Sequence, residues 1–245
     1  MKKRNIIAGM TIPMLVLVIS CQGQDAKVAQ ETGAKPLSVV AQLGGAYNAT
    51  EDLWENPDTA YEQFIRFDGE EFASFNRMRA NGDLGPYGIL DKSGKVVVQP
   101  NYFSITTKPR FGFFEVQDSL QQVGLVNTKG IEVVSPQYKS IFLDAEQMKI
   151  DSTIIKVAKD EKQGFIDYNG NVVVPLKYPS LEVVDKNRIM YMESPQHWGL
   201  MDYKGKILTA AVFTHTNIFV DGKVILQQAD GQEYSVDVNG KIIKR

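Results

Sequence analysis

The chain has 245 residues, with 27 basic and 29 acidic side chains, two histidines and one cysteine. A formal charge of −2, carried by interspersed charges of both signs, argues against a nucleic-acid partner, which needs a basic face. One cysteine leaves no disulfide to be formed within the chain.

The first element is a leader. Lys2, Lys3 and Arg4 precede an apolar run from Ile6 to Ile19 that contains Thr11 and Pro13 and ends in Ser20 before Cys21. A membrane-spanning helix needs about 20 predominantly apolar residues, so this pattern reads as the n-region and h-region of an export signal. The stretch Val18-Ile19-Ser20-Cys21 resembles a bacterial lipoprotein lipobox. That resemblance implies cleavage after residue 20, acylation of Cys21 and anchoring in a membrane of the bacterial envelope, at the outer membrane or on the periplasmic or extracellular face. Each buried acyl methylene contributes about 0.8 kcal/mol, so several chains would hold firmly. An ordinary signal peptide cut nearby and a retained helical anchor are the competing readings. Loss of residues 1–20 removes three cations and no acid, which leaves 24 basic against 29 acidic groups, a net charge of −5.

Residues 21–46 comprise the cysteine and a small, polar stretch with Gly33, Pro36 and Gly44-Gly45, which reads as a flexible tether. Residues 47–63, with Trp54, read as a segment that caps the body, with room for a short helix.

Residues 64–245 are repetitive. YGILDKSGKVVV begins at Tyr87, VGLVNTKGIEVV at Val123, QGFIDYNGNVVV at Gln163, WGLMDYKGKILT at Trp198 and EYSVDVNGKIIK at Glu233. In each copy an Asp or Asn precedes a glycine by three: Asp91 and Gly94, Asn127 and Gly130, Asp167 and Gly170, Asp202 and Gly205, Asp237 and Gly240. The glycines are 36, 40, 35 and 35 residues apart, a period that means tandem supersecondary units. Runs such as FGFFEVQ and TIIKVAK precede the motif, and Tyr102, Tyr138, Tyr178 or Phe213 follows its glycine by eight. The pattern predicts about five short, four-stranded antiparallel units in an all-β body, either propeller-like or an open twisted solenoid.

Gly88, Gly124, Gly164 and Gly199 sit near strand starts, where glycine marks a bulge or a close approach by backbone or ring. Asp167, Asn169 and Asn171 around Gly170 could form an oxygen-rich cation loop or a hairpin with a type I′ Asn-Gly turn. The other copies carry Lys, Ser, Thr or Val where ligands would be required, which favours the hairpin and no metal. Together the five copies resemble the WG-containing (KWG) repeat of bacterial surface and secreted proteins. The resemblance implies an all-β body used for binding and no reaction to carry over. Only Trp198-Gly199 spells the eponymous pair, and Tyr234 stands in place of the glycine in the last copy.

No P-loop, HExxH helix or cysteine nucleophile accompanies His197 and His215. The acid pairs Glu70-Glu71 and Asp160-Glu161 would point to opposite faces of a strand. No cofactor is expected. His197 and Trp198, with Tyr191 and Tyr203 nearby in sequence, form the candidate recognition patch, since flat aromatics suit sugars and protein hot spots. The plainer reading puts Trp198 in an inter-unit position. The sequence thus predicts a non-enzymatic, lipid-anchored envelope protein that binds a protein or glycan. An assembly component of a membrane complex and a glycan-active enzyme are the alternatives.

Overall fold

The computed structural model describes residues 40–245; the leader, Cys21 and most of the tether lie outside the described residues. Among the described residues, six small antiparallel sheets follow one another in chain order. The first holds β1 (Ala46–Asn48), β2 (Leu53–Glu55) and β3 (Phe64–Arg66), and the second β4 (Phe72–Met78), β5 (Leu84–Asp91) and β6 (Val96–Tyr102). The third holds β7 (Ser104–Ile105), β8 (Phe113–Gln117), β9 (Val123–Asn127) and β10 (Glu132–Tyr138). The fourth joins β11 (Ser140–Phe142), β12 (Ile154–Lys159), β13 (Lys162–Asp167) and β14 (Val172–Tyr178), with one helical turn, α1 (Ala145–Ile150), after β11. The fifth is β15 (Ser180–Asp185), β16 (Arg188–Ser194) and β17 (His197–Asp202), and the sixth β18 (Lys223–Gln227), β19 (Glu233–Asp237) and β20 (Ile242–Lys244).

The expected five units are present as the second to sixth sheets, though only the third and fourth have four strands, and one further sheet precedes them. The chain for that further sheet comes from residues 47–63, which build a hairpin rather than a short helix. Asn48 Oδ1 accepts the Thr50 and Glu51 N–H groups, and Asp52 takes a φ of 51°, so the chain turns back. Phe64–Arg66 then pairs with β2 and not with β4. Elsewhere the outer strands shrink to isolated bridges: Tyr61 with Arg77 beside β4, Phe213 with Gln228 beside β18, and Ile207 and Phe213 with Met201 and Trp198 beside β17. Along β17 the ladder fails because Leu208 and Thr209 both donate to Leu200 O.

The end of the polar stretch 21–46 also belongs to the body. Leu43 is buried, its N–H donates to Gly94 O at 2.8 Å, and Val96 N–H donates to Ala41 O at 3.1 Å. Residues 41–43 thereby cover part of the free edge of β6, and Trp54 Nε1 donates to Gly44 O at 2.8 Å.

The repeated turn is a three-residue hairpin loop rather than type I′. Gly170 has φ +82°, while Asn169 is not in the left-handed region. Gly170 N–H donates to Asp167 O at 3.0 Å, and Asp167 Oδ1 accepts the Asn169 and Asn171 N–H groups at 2.8 and 2.9 Å. This is a type I turn closed by a left-handed glycine, which needs one positive φ instead of two. Asp91, Asn127, Asp202 and Asp237 accept the equivalent pairs of backbone bonds. The same loop joins β8 to β9, where Asp118 Oδ1 accepts from Leu120 and Gln122 and Gln121 holds φ 60°. Left-handed backbone costs a residue with a Cβ about 1–2 kcal/mol, partly offset in glycine by its freer unfolded chain. Gln121→Gly is therefore expected to raise stability by up to about 1 kcal/mol, measured by urea denaturation.

The turn also fastens neighbours together. A Cβ on Gly130 would lie 2.0 Å from Val97 O, one on Gly170 2.4 Å from Val133 O, and one on Gly240 2.5 Å from Leu208 O. These three turns thus rest on the backbone of an earlier unit, while a Cβ on Gly94 would meet the Trp54 ring and one on Gly205 nothing within 4 Å. Side chains at the next position reach the same way. Tyr168 packs on Phe113, and Tyr203 Oη–H donates to Asp151 Oδ2 at 2.7 Å. Lys92 pairs with Asp52 at 2.8 Å, and that partner, with the Tyr47 hydroxyl and the Gly69 N–H, holds the Asp52 carboxyl down at about 2.

In the second to fifth sheets the strand carrying the motif is buried on both faces, which explains its two consecutive apolar residues. Ile89, Leu125, Phe165 and Leu200 face the following sheet, while Leu90, Val126, Ile166 and Met201 face the preceding one, and all eight are almost wholly inaccessible. Five core clusters link successive sheets, and none among the described residues joins the sixth to the first. The arrangement is a linear series. Its last member is built differently: Ser235 stands where Leu200 would, and its cross-strand partner is the exposed Ile243, whereas Ile89, Leu125 and Phe165 pair with the buried Val98, Val134 and Val174. The outward face of the sixth sheet is accordingly mixed: Ile225, Ser235 and Ile243 form its central cross-strand row, with Lys223, Glu233 and Asp237 around them.

Candidate functional site

The four aromatic and imidazole side chains singled out from sequence are not brought together. Tyr191 is buried in the core between the fourth and fifth sheets, where its hydroxyl donates to Thr209 O at 3.2 Å and its ring covers Gly199. Trp198 packs, half-buried, on the opposite face of the same sheet, against the core shared with the sixth. The strand period explains the separation: Tyr191 pairs with Gly199, so Trp198 one residue earlier points the other way. Tyr203 is engaged with Asp151, and burial followed by that carboxylate pushes its hydroxyl pKa upward. His197 is exposed, with Nδ1 2.9 Å from Pro195 O. Trp198 occupies the inter-unit position.

The other sequence candidates are turn chemistry. The second Asp167 oxygen accepts from Asn171 Nδ2 at 2.9 Å, so both carboxylate oxygens serve the hairpin. Among the described residues no three His, Cys, Asp or Glu side chains are grouped to hold a metal ion. Asp160 and Glu161 form the tip between β12 and β13, with φ values of 49° and 59°. Glu70 pairs with Lys108 at 2.9 Å.

A cleft of about 650 Å³ lies elsewhere, where the β4–β5 hairpin meets the β6–β7 connection and the Asp118 turn. Its walls carry Tyr87, Tyr102 and Phe103, with Arg79, Asn101 and Asp118 at the rim. Phe103 is 55% and Leu84 53% exposed, high for rings and chains of this size. Tyr87 and Tyr102 are cross-strand partners, which brings the two rings to one wall. Tyr102 Oη–H donates to Glu132 Oε2 at 2.6 Å, and burial, then that carboxylate, raises its pKa. The ring is thereby pinned. Among the described residues the side chains of Arg79, Asn101, Ser104 and Ser119 make no hydrogen bond within the protein, so the cleft presents donors and acceptors between flat apolar faces. Asp118 is its one acid, and its Oδ1 is occupied by the turn.

Sequence reading missed this cleft because Tyr87 and Tyr102 look like ordinary members of the repeated motif, while Arg79, Phe103 and Asp118 fall outside it. The one available signal was Asn101-Tyr102-Phe103, where an aromatic follows the repeated tyrosine; the other copies have Lys139, Pro179 and Thr214 there. A smaller opening of about 340 Å³, lined by Tyr61, Glu62, Phe64 and Met78, adjoins it through Leu84.

The model for the WG containing repeat matches residues 87–106, 164–193 and 198–231; the copies at Val123 and Glu233 lie outside the match. No curated protein matches the chain. Among solved structures, the chain is similar to the computationally designed Ika8 protein, at 14% identity over 84% of this chain and 65% of that one, with a TM-score of 0.33. It is also similar to BamB from Moraxella catarrhalis, at 15% identity over 72% of this chain and 57% of that one, with a TM-score of 0.35. The chain spans less than two thirds of either. A third similar structure is the WD40 beta propeller domain of Doa1, at 11% identity over 83% and 71% of the two chains, with a TM-score of 0.31.

Proposed function

We propose that this chain, which carries WG containing repeats, is a lipid-anchored protein of the bacterial envelope whose body binds a partner without transforming it. The cleft at Tyr87, Tyr102 and Phe103 carries the reading, because it combines one exposed and two half-buried rings with polar side chains that make no hydrogen bond among the described residues. Its size falls within the range usual for ligand sites. Binding is preferred to turnover because a single carboxylate lines the cleft, whereas glycoside hydrolysis uses a pair. The anchor rests on Lys2, Lys3, Arg4, the run Ile6–Ile19 and Cys21. No helix among the described residues is long and apolar enough to cross a membrane.

Crosslinking in intact cells followed by mass spectrometry, with the native chain compared with Cys21→Ala, tests both parts. The expected result is an acylated peptide beginning at Cys21 and a set of crosslinked envelope components that the variant loses. Peptides retaining Ser20 ahead of an unmodified cysteine would reject the anchor. Identical crosslinks from native chain and variant would reject an anchored binding role, and one protein in fixed stoichiometry would make the chain an assembly component instead.

A further inference from the structure

We infer that the cleft at the junction of the second and third sheets takes a neutral glycan chain, with a sugar ring laid on Phe103 and its hydroxyls bonded by Asn101, Ser104 and Arg79. The inference rests on the binding role proposed above and names its ligand class. A pyranose presents apolar C–H faces and a rim of hydroxyls, each both donor and acceptor. The cleft presents the complement: the exposed Phe103 ring and the half-buried Tyr87 and Tyr102 rings, beside amide, hydroxyl and guanidinium groups that make no hydrogen bond among the described residues.

Charge excludes the anionic alternatives. Arg79 and Asp118 are the charged residues of the lining and oppose each other, so neither an acidic polymer nor a cation finds a field to hold it. Geometry disfavours an extended peptide. Strand addition requires an unpaired backbone edge, but Phe103 N–H donates to Gln117 O at 2.8 Å, Ser104 pairs with Gln117, and Tyr102 pairs with Tyr87.

The walls are also set in advance. Glu132 fixes Tyr102 from the next sheet, and the buried Asn76 amide donates to Gly85 O at 2.9 Å, which holds the opposite wall. Little ordering is left for binding to impose. Lys139, Pro179 and Thr214 at the positions corresponding to Phe103 leave this as the one junction of the series with an aromatic there.

The test is calorimetric titration of the full chain, purified in detergent. The probes are tetramers of β-1,4-linked N-acetylglucosamine, β-1,4-linked glucose and α-1,4-linked glucose, with tetragalacturonate as an acidic control. At least one neutral tetramer is expected to bind, and Phe103→Ala to weaken it about tenfold, the scale of one lost ring contact of roughly 1.4 kcal/mol. Asn101→Ala should weaken it in the same direction, and Trp198→Ala should leave it unchanged. Phe103 and Asn101 are exposed, so both variants should keep the native melting temperature, which is measured alongside. The inference is overturned if no neutral tetramer binds, if tetragalacturonate binds best, or if Phe103→Ala leaves binding unchanged. A protein crosslinked in cells and lost on Phe103→Ala, with no tetramer bound, would overturn the glycan while sparing the binding role; neither crosslink nor tetramer would remove both.

Discussion

Gly130→Ala is expected to destabilise the protein by about 3 kcal/mol or more, and Gly205→Ala by only about 1–2 kcal/mol, in equilibrium denaturation. Both glycines hold the same left-handed conformation, with φ of +83° and +76°, so the strain of adding a Cβ is shared. They differ in what the Cβ meets. At Gly130 it would stand 2.0 Å from Val97 O, a backbone atom on a strand that is itself packed, while at Gly205 nothing lies within 4 Å. Relief at Gly130 requires the second and third sheets to move apart, which opens the core at Val98 and Phe114. Equal losses for the two variants would show that the turn glycine serves conformation alone and not the contact between units.

Phe165→Ala is the second large effect, expected at about 3–5 kcal/mol. Phe165 is wholly buried on the face of β13 that packs against Leu181, Ile189 and Met201 of the fifth sheet. Because each unit touches only its neighbours, stability is a sum of unit and interface terms. Weakening one interface near the middle should therefore split unfolding into two steps. Urea titration followed by tryptophan fluorescence is suited to detect this, since Trp54 reports on the first two sheets and Trp198 on the last two. A single coincident transition at unchanged midpoint would contradict the nearest-neighbour account.

The repeat body was legible in sequence because one local device, an Asp or Asn three residues before a glycine, recurs with the apolar pair ahead of it. The carboxylate or amide needs two backbone N–H groups at that spacing, and the central strand needs apolar residues on both sides. What was not legible lay where non-local contacts decide. Residues 47–55 contain no such device, and Trp54 reaches its partners only through the fold, so the first sheet was hidden. Leu43 looked like part of a tether because its stability comes from pairing with Gly94, 51 residues away in sequence. The five expected units are present, but four strands in each failed at outer strands, whose pairing depends on tertiary fit rather than on pattern. Proximity in sequence also misled at the candidate site, because Tyr191 and Trp198 stand on opposite faces of one sheet, while the cleft gathers Arg79, Phe103 and Asp118 from three separate connections.

The mixed outward face of the sixth sheet bears on how such a protein can change in length. A unit packed on that face would meet Ser235 between Ile225 and Ile243, with Lys223, Glu233 and Asp237 around them, a narrower apolar strip than the interior junctions offer. A unit spliced between the fourth and fifth sheets would find Phe165 and Val174 on one side and Ile189 and Met201 on the other, a junction already suited to a copy of either. Growth by duplication is thus easier in the interior, where both sides of a new unit find an apolar face ready, than beyond β18–β20.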